Sequence, residues 1–157
     1  MAGKIAKYVT VGTNDLEKAK EFYDKLFEEL AARSFAPNER SFFYTLKDDD
    51  TVFAIFVPYD GKPATVGNGN MTGITLDSIE EVDAMYAKAI ALGASDEGEP
   101  GQRVPTFYGA YVRDLDGNKL VFCKMGLSSL FSGSNQPSST RKNKPFLRVV
   151  RGKCFYA

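Results

Sequence analysis

A chain of 157 residues, 43% apolar and 25% charged, holds enough apolar material for one hydrophobic core and has the composition of an ordinary globular domain. Its 20 basic and 20 acidic residues cancel, yet six basic residues (Arg141, Lys142, Lys144, Arg148, Arg151, Lys153) follow Gly126 with no acid among them, so the preceding part carries about −6. That balance argues against a nucleic-acid partner, which needs a basic face, and mildly favours neutral or cationic ligands.

The N-terminal stretch Met1 to Lys7 lacks the apolar run of a signal sequence, and no segment approaches the length of a membrane span. A cytoplasmic protein with no membrane partner is expected. Cys123 and Cys154 form no paired framework and no Cys-x-x-Cys site, so both are expected as reduced thiols.

Lys7 to Gly12 alternates as a strand should, and Asn14 with Glu17 three residues on predicts a helix cap with a capping box. Leu16, Ala19, Phe22, Tyr23, Leu26, Phe27 and Leu30 then recur at spacings of three and four, the stripe of a helix packed on a sheet. Arg40 to Leu46 and Thr51 to Pro58 are aromatic and β-branched runs around Lys47-Asp48-Asp49-Asp50, which predicts a hairpin. The acidic turn reads as solvated, since neighbouring carboxylates there point apart into water.

After the Gly/Asn-rich stretch Val66 to Asn70, expected as a hinge, the same order returns. Met71 to Leu76 predicts a strand, Ser78 with Glu81 a capped helix start, and Gly93 a helix end. Gly98 to Thr106 reads as a loop. Phe107 to Arg113 and Lys119 to Lys124 form a second hairpin around Asp114-Leu115-Asp116-Gly117-Asn118. That turn resembles the start of a calcium loop, but its glycine is misplaced and Met125 stands where the closing glutamate belongs. A shift of sixty-three positions superposes Asn14 to Glu17 on Asp77 to Glu80, so the chain repeats one unit twice. Neither copy can bury its apolar face alone. The two should pair and enclose a cup, where a ligand site belongs. The units are expected at about 4–60 and 70–125, with a hinge at 61–69. Residues 127–157 are a Ser-rich, basic tail expected to be flexible and given no function.

Tyr8-Val9-Thr10-Val11 with Asp15-Leu16-Glu17 and Phe22-Tyr23, followed by Phe107-Tyr108-Gly109-Ala110-Tyr111 and Asp114-Leu115-Asp116-Gly117-Asn118, together resemble the glyoxalase/bleomycin-resistance/extradiol dioxygenase superfamily, the vicinal oxygen chelate proteins. The resemblance spans nearly all of Lys4 to Gly126. It implies an α+β fold of two paired βαβββ units in a U-shaped, cup-like mixed sheet with helices outside, usually in homodimers. In metal-dependent members the first and last strand of each unit supply the ligands. Here the resemblance puts those positions at Tyr8, Ala54, Met71 and Val121, none a usual zinc, nickel or iron ligand, and the chain contains no histidine. Metal-dependent lyase or dioxygenase chemistry is therefore not expected, nor is a cofactor, and whether the protein is an enzyme stays open.

The vacated positions mark the inward parity of each strand. Counting back through the hairpins places Tyr44 opposite Ala54 and Tyr111 opposite Val121. The expected lining is then Tyr8, Phe42, Tyr44, Ala54 and Phe56 from the first unit, with Met71, Gly109, Tyr111, Val121 and Cys123 from the second. Arg103 reaches over the mouth from its loop. Such a wall suits an aromatic or cationic small organic molecule. The leading expectation is a metal-free small-molecule-binding protein like the bleomycin-resistance members. The alternatives are a lyase or isomerase using Tyr8, Tyr44 or Tyr111 as acid-base groups, and a structural or interaction dimer whose own side chains fill the cup. Cys123, with no histidine to activate it, reads as a structural thiol.

Overall fold

The computed structural model describes residues 7–126; the C-terminal tail and residues 1–6 lie outside the described residues. The first unit runs β1 (Tyr8–Gly12), α1 (Leu16–Leu26), a 3-10 turn at Glu28–Leu30, β2 (Arg33–Asn38), β3 (Ser41–Thr45) and β4 (Val52–Phe56). The second runs β5 (Thr72–Thr75), α2 (Ile79–Ala91), β6 (Ser95–Val104), β7 (Phe107–Arg113) and β8 (Lys119–Met125). Each unit builds one four-stranded sheet, in the orders β1-β4-β3-β2 and β5-β8-β7-β6, with the first and last strands parallel and the others antiparallel. The fold class is therefore the expected α+β pair of βαβββ units.

Both helices begin where side-chain oxygens meet free backbone N–H groups. Ser78 closes a full capping box with Glu81: Glu81 N–H donates to Ser78 Oγ at 3.1 Å, and Ser78 N–H donates to Glu81 Oε2 at 3.1 Å. In α1 the cap is Asp15, whose Oδ1 accepts from Lys18 N–H at 3.1 Å, and not Asn14. Asn14 is spent on tertiary structure. Its N–H donates to Asp116 Oδ1 (2.8 Å), and its amide exchanges hydrogen bonds with the Ala64 backbone in the segment joining the units. Gly93 follows α2 with φ +101, the left-handed conformation a helix-ending glycine supplies.

Two strands went unanticipated. β2 is exposed along its whole length and contains Pro37, while β6, which takes in Gly98 to Val104 of the expected loop Gly98 to Thr106, is interrupted by bulges opposite β7. Edge strands of this kind carry no alternation to detect. The helix stripe also stops early: α1 ends at Leu26, and Leu30 falls in the 3-10 turn.

The apolar faces of the helices and the covered faces of the sheets form one core, with Tyr23, Leu26, Ile55, Val82, Val112, Leu120 and Phe122 fully buried. The Asp114–Asn118 turn clasps the first unit to the second. Tyr23 O–H donates to Asp114 Oδ2 at 2.6 Å, and Asn118 Nδ2 donates both to Gly12 O (2.9 Å) and to Asp114 Oδ2 (2.8 Å). Burial and the adjacent Asp114 carboxylate push the Tyr23 hydroxyl well above its usual pKa, which keeps it a proton donor.

Candidate functional site

Which side chains reach the open side of each sheet follows from strand register. In the first sheet Ala54 pairs with Phe43 and Phe53 with Tyr44. Phe42 and Tyr44, expected in the cup, therefore lie on the helix side. Tyr44 is buried with its ring 5.5 Å from Phe27 and its hydroxyl donating to Asp24 Oδ1 at 3.0 Å, while the Lys20 ammonium, paired with Asp24, sits 5.0 Å over the Phe42 ring. Burial first, and the Asp24 charge second, raise the Tyr44 pKa far above the phenol range. A phenol held this way cannot serve as a base near neutral pH. The expected register was off by one residue, which moves every side chain of a strand to the opposite face.

The helix-free face of the first sheet instead carries Tyr8, Phe35, Phe43 and Phe56 around Ala54. Phe43 is the hub, with ring centroids of Tyr8, Phe35 and Phe56 at 5.5, 5.4 and 5.6 Å. Tyr8 is 51% and Phe35 50% exposed. Phe35 and Phe43 were missed in the sequence, the first because β2 was not recognised and the second through the register slip.

In the second sheet Tyr111 pairs with Val121 and Gly109 with Cys123, while Met71, two positions before Gly73, which pairs with Val121, shares their parity and is exposed. Gly109 leaves room for the Phe107 ring, whose Cε1 would stand 2.7 Å from an added Cβ. Arg103 lies on β6 rather than in a loop. Its guanidinium donates to Glu99 O at 2.6 Å and stands 5.2 Å from the Tyr111 ring centroid, and the Lys119 ammonium stands 5.2 Å from the same centroid. Beside them Glu97 accepts from Arg113 at 2.7 Å and faces Lys119 at 3.6 Å, so its carboxyl is held below its usual range, chiefly by the Arg113 hydrogen bond. The Tyr111 surroundings are thus locally basic although the domain as a whole is acidic.

The four positions where the resemblance places metal ligands carry a phenol (Tyr8), a methyl (Ala54), a thioether (Met71) and an isopropyl group (Val121). A hard divalent ion in an oxygen and nitrogen site finds no donor set there. Among the described residues no group of three or more His, Cys, Asp or Glu side chains is placed to hold a metal ion. Cys123 is buried, and desolvation raises its thiol pKa, the condition of an inert thiol. The Asp114 carboxylate accepts from Asp116 N–H (3.0 Å), Asn118 N–H (2.7 Å) and the Tyr23 hydroxyl, so the calcium-like run is a turn and an interunit clasp. Among the described residues, no helix is long and apolar enough to cross a membrane.

Comparison with known proteins agrees with this architecture. Residues 5–122 match the model of the Glyoxalase/Bleomycin resistance protein/Dioxygenase superfamily. Among solved structures, a glyoxalase/bleomycin resistance protein from Albidiferax ferrireducens T118 is 39% identical with a TM-score of 0.70, over 77% of this chain and 98% of that one. A glyoxalase-related enzyme from Fulvimarina pelagi is 20% identical with a TM-score of 0.62, over 78% of this chain and 88% of that one. The fosfomycin resistance protein FosX from Mesorhizobium loti is 20% identical with a TM-score of 0.60, over 83% and 98%. These last two share the fold. A search of the curated proteins finds no match. Paired βαβββ units with one sheet order, a family match over most of the chain and a relative at 39% identity together show that the chain belongs to the glyoxalase/bleomycin resistance protein/dioxygenase superfamily.

Proposed function

We propose that the protein binds a small aromatic molecule on the helix-free faces of its sheets without using a metal. The observation that carries this reading is the ring cluster in which half-exposed Tyr8 and Phe35 flank the partly buried Phe43 and Phe56. Flat aromatic surface left in contact with water on a sheet face gains free energy when another ring covers it, at about 25 cal/mol per Å² of apolar area removed from water. Arg103 and Lys119 beside Tyr111 give that molecule a polarity: an acidic group is favoured there, contrary to the cationic ligand that overall charge suggested. Met71, exposed on the same face of the second sheet, adds apolar surface. The superfamily's pairing habit extends the reading to a homodimer.

The test is the melting temperature of the full chain with 2-naphthoate, 2-naphthalenemethanol and glutathione adducts, each with added nickel or zinc and with chelator, alongside light scattering for oligomeric state. A ligand of the folded state raises the midpoint by mass action. The expected result is stabilisation by the naphthoate that chelator leaves unchanged and that Phe35→Ala or Arg103→Met removes. Stabilisation only with added metal would overturn the reading.

A further inference from the structure

Around Tyr111 the second sheet holds more positive charge than its own acid balances. Arg113 lies two positions beyond Tyr111 on β7 and shares its face, as does Lys119, the residue paired with Arg113 on β8. With Arg103 they make three cations, and Glu97 is the carboxylate set among them. Arg113 engages both oxygens of Glu97: Nη2 donates to Oε1 at 2.8 Å, and Nε stands 2.7 Å from Oε2. Lys119 is left 3.6 Å from Oε2, beyond hydrogen-bond range. Its side chain is only 15% exposed, so water replaces the missing partner poorly. The bond that fixes Arg103 goes to a neutral acceptor, Glu99 O, and no ion pair joins it to a carboxylate among the described residues. Two cations are therefore short of negative charge.

These two reach Tyr111 from different strands, since β7 lies between β6 and β8. Gly98 of β6 pairs with Tyr111, and a Cβ placed there would stand 3.0 Å from Tyr111 Cδ2 and 3.3 Å from Arg103 Nη2. The bare glycine backbone thus lets the guanidinium lie along β6 against one flank of the ring. Lys119 comes from the β8 side, and each cation is 5.2 Å from the ring centroid. A single carboxylate held by one of them leaves the other to water, because the phenol stands between. Two carboxylates on one ring reach both. Apolar contact is at hand as well: on the same face the Phe107 ring folds over Gly109, where an added Cβ would stand 2.7 Å from its Cε1, and offers a ligand ring a partner beside Tyr111.

We propose that this face takes an aromatic dicarboxylate, one carboxylate on Arg103 and the other on Lys119, and that Lys119 selects two acidic groups over one. Such selection presupposes the metal-free binding of an aromatic acid beside Tyr111 proposed above and adds the second charge to it. Isophthalate, benzoate, phenyl phosphate and 2-naphthoate are titrated into the full chain at about pH 7.5, where the carboxylates are ionised and the protein holds no histidine to titrate, while backbone amide shifts are followed by NMR. Isophthalate is expected to shift the amides of Arg103, Tyr111 and Lys119 and to bind about fivefold more tightly than benzoate, the worth of one further partly exposed ion pair. Two equivalent carboxylates give about a twofold advantage by statistics alone, so Lys119→Met should bring isophthalate within twofold of benzoate and leave benzoate within twofold of its own value. Isophthalate within twofold of benzoate on the unsubstituted protein, a preference that survives Lys119→Met, phenyl phosphate binding as tightly as isophthalate, or isophthalate shifts confined to the ring cluster of the first sheet would each overturn the dicarboxylate. Binding of 2-naphthoate without a preference for isophthalate refutes the second charge alone; no binding by any of the four at millimolar concentration refutes the aromatic-acid site as well. The ligand comparison on the unsubstituted protein decides even if the methionine variant does not fold.

Discussion

Replacing Tyr23 by Phe removes one oxygen from the interior and isolates the clasp between the two units. The ring keeps its contacts with Phe22 (5.0 Å), Phe27 (5.4 Å) and Phe53 (4.9 Å), so no cavity term enters. What disappears is a 2.6 Å hydrogen bond to a buried carboxylate. Such charge-assisted bonds are worth about 1.5–3 kcal/mol. Asp114 retains Asp116 N–H, Asn118 N–H and Asn118 Nδ2 as donors, so it is not orphaned, and the lower part of that range applies, about 2 kcal/mol. For a domain of this size the loss corresponds to a melting point roughly 5–10 °C lower. Urea unfolding of Tyr23→Phe, Asp114→Asn and the double variant measures the coupling directly. A second signature is alkaline. The folded pKa of Tyr23 is raised, so its contribution is complete below about pH 10, the unfolded value, and is lost as the pH climbs from there toward the folded one. The unsubstituted protein should lose stability more steeply above pH 10 than Tyr23→Phe. A difference under about 0.5 kcal/mol at neutral pH, together with parallel alkaline limbs, would refute the clasp.

Three further substitutions have outcomes that follow from the structure. Ser78→Ala removes the acceptor for Glu81 N–H, one of the two arms of the capping box, and should cost about 1 kcal/mol in urea unfolding, whereas Asn14→Ala should act through the side-chain bonds to Asp116 and to the Ala64 backbone rather than through the cap. Glu97 has a lowered folded pKa, so its contribution is present above its unfolded value near 4.5 and disappears as the pH falls through the folded one. Glu97→Gln should therefore flatten the acid limb of a stability profile below about pH 4.5 and leave the alkaline limb as it is.

Strong local signals carried much of this molecule into the sequence. The stripe from Leu16 to Leu26, the Ser78/Glu81 capping box and Gly93 declared the helices, since each is settled within one or two turns of chain. The repeat displaced by sixty-three positions reappears in three dimensions: the two helix caps are Asp15 and Ser78, and both sheets have the same strand order. In the second sheet the turn at Asp114–Asn118 marked the hairpin centre, and Tyr111 stands opposite Val121. Residue types alone also disclosed that Tyr8, Ala54, Met71 and Val121 supply no metal donor set.

Tertiary structure decided what depended on register and on partners distant in sequence. Phe42, Phe43 and Tyr44 are three aromatics in a row, so their hydrophobicity does not say which faces α1; the pairing of Phe43 with Ala54 does, and it moves Phe42 and Tyr44 out of the candidate site and Phe43 into it. β2 and β6 exist because β3 and β7 offer them hydrogen bonds, not because their own exposed or glycine-rich segments favour a strand. Arg103 and Lys119 are sixteen positions apart and meet over Tyr111 only when β6, β7 and β8 are side by side. Val9, Tyr44, Phe53 and Ile74 likewise come together around one recess from β1, β3, β4 and β5, which no local pattern connects. Helices and turns are short-range events that a sequence records, whereas the chemistry of a face is set by which strand lies beside which, and in what register.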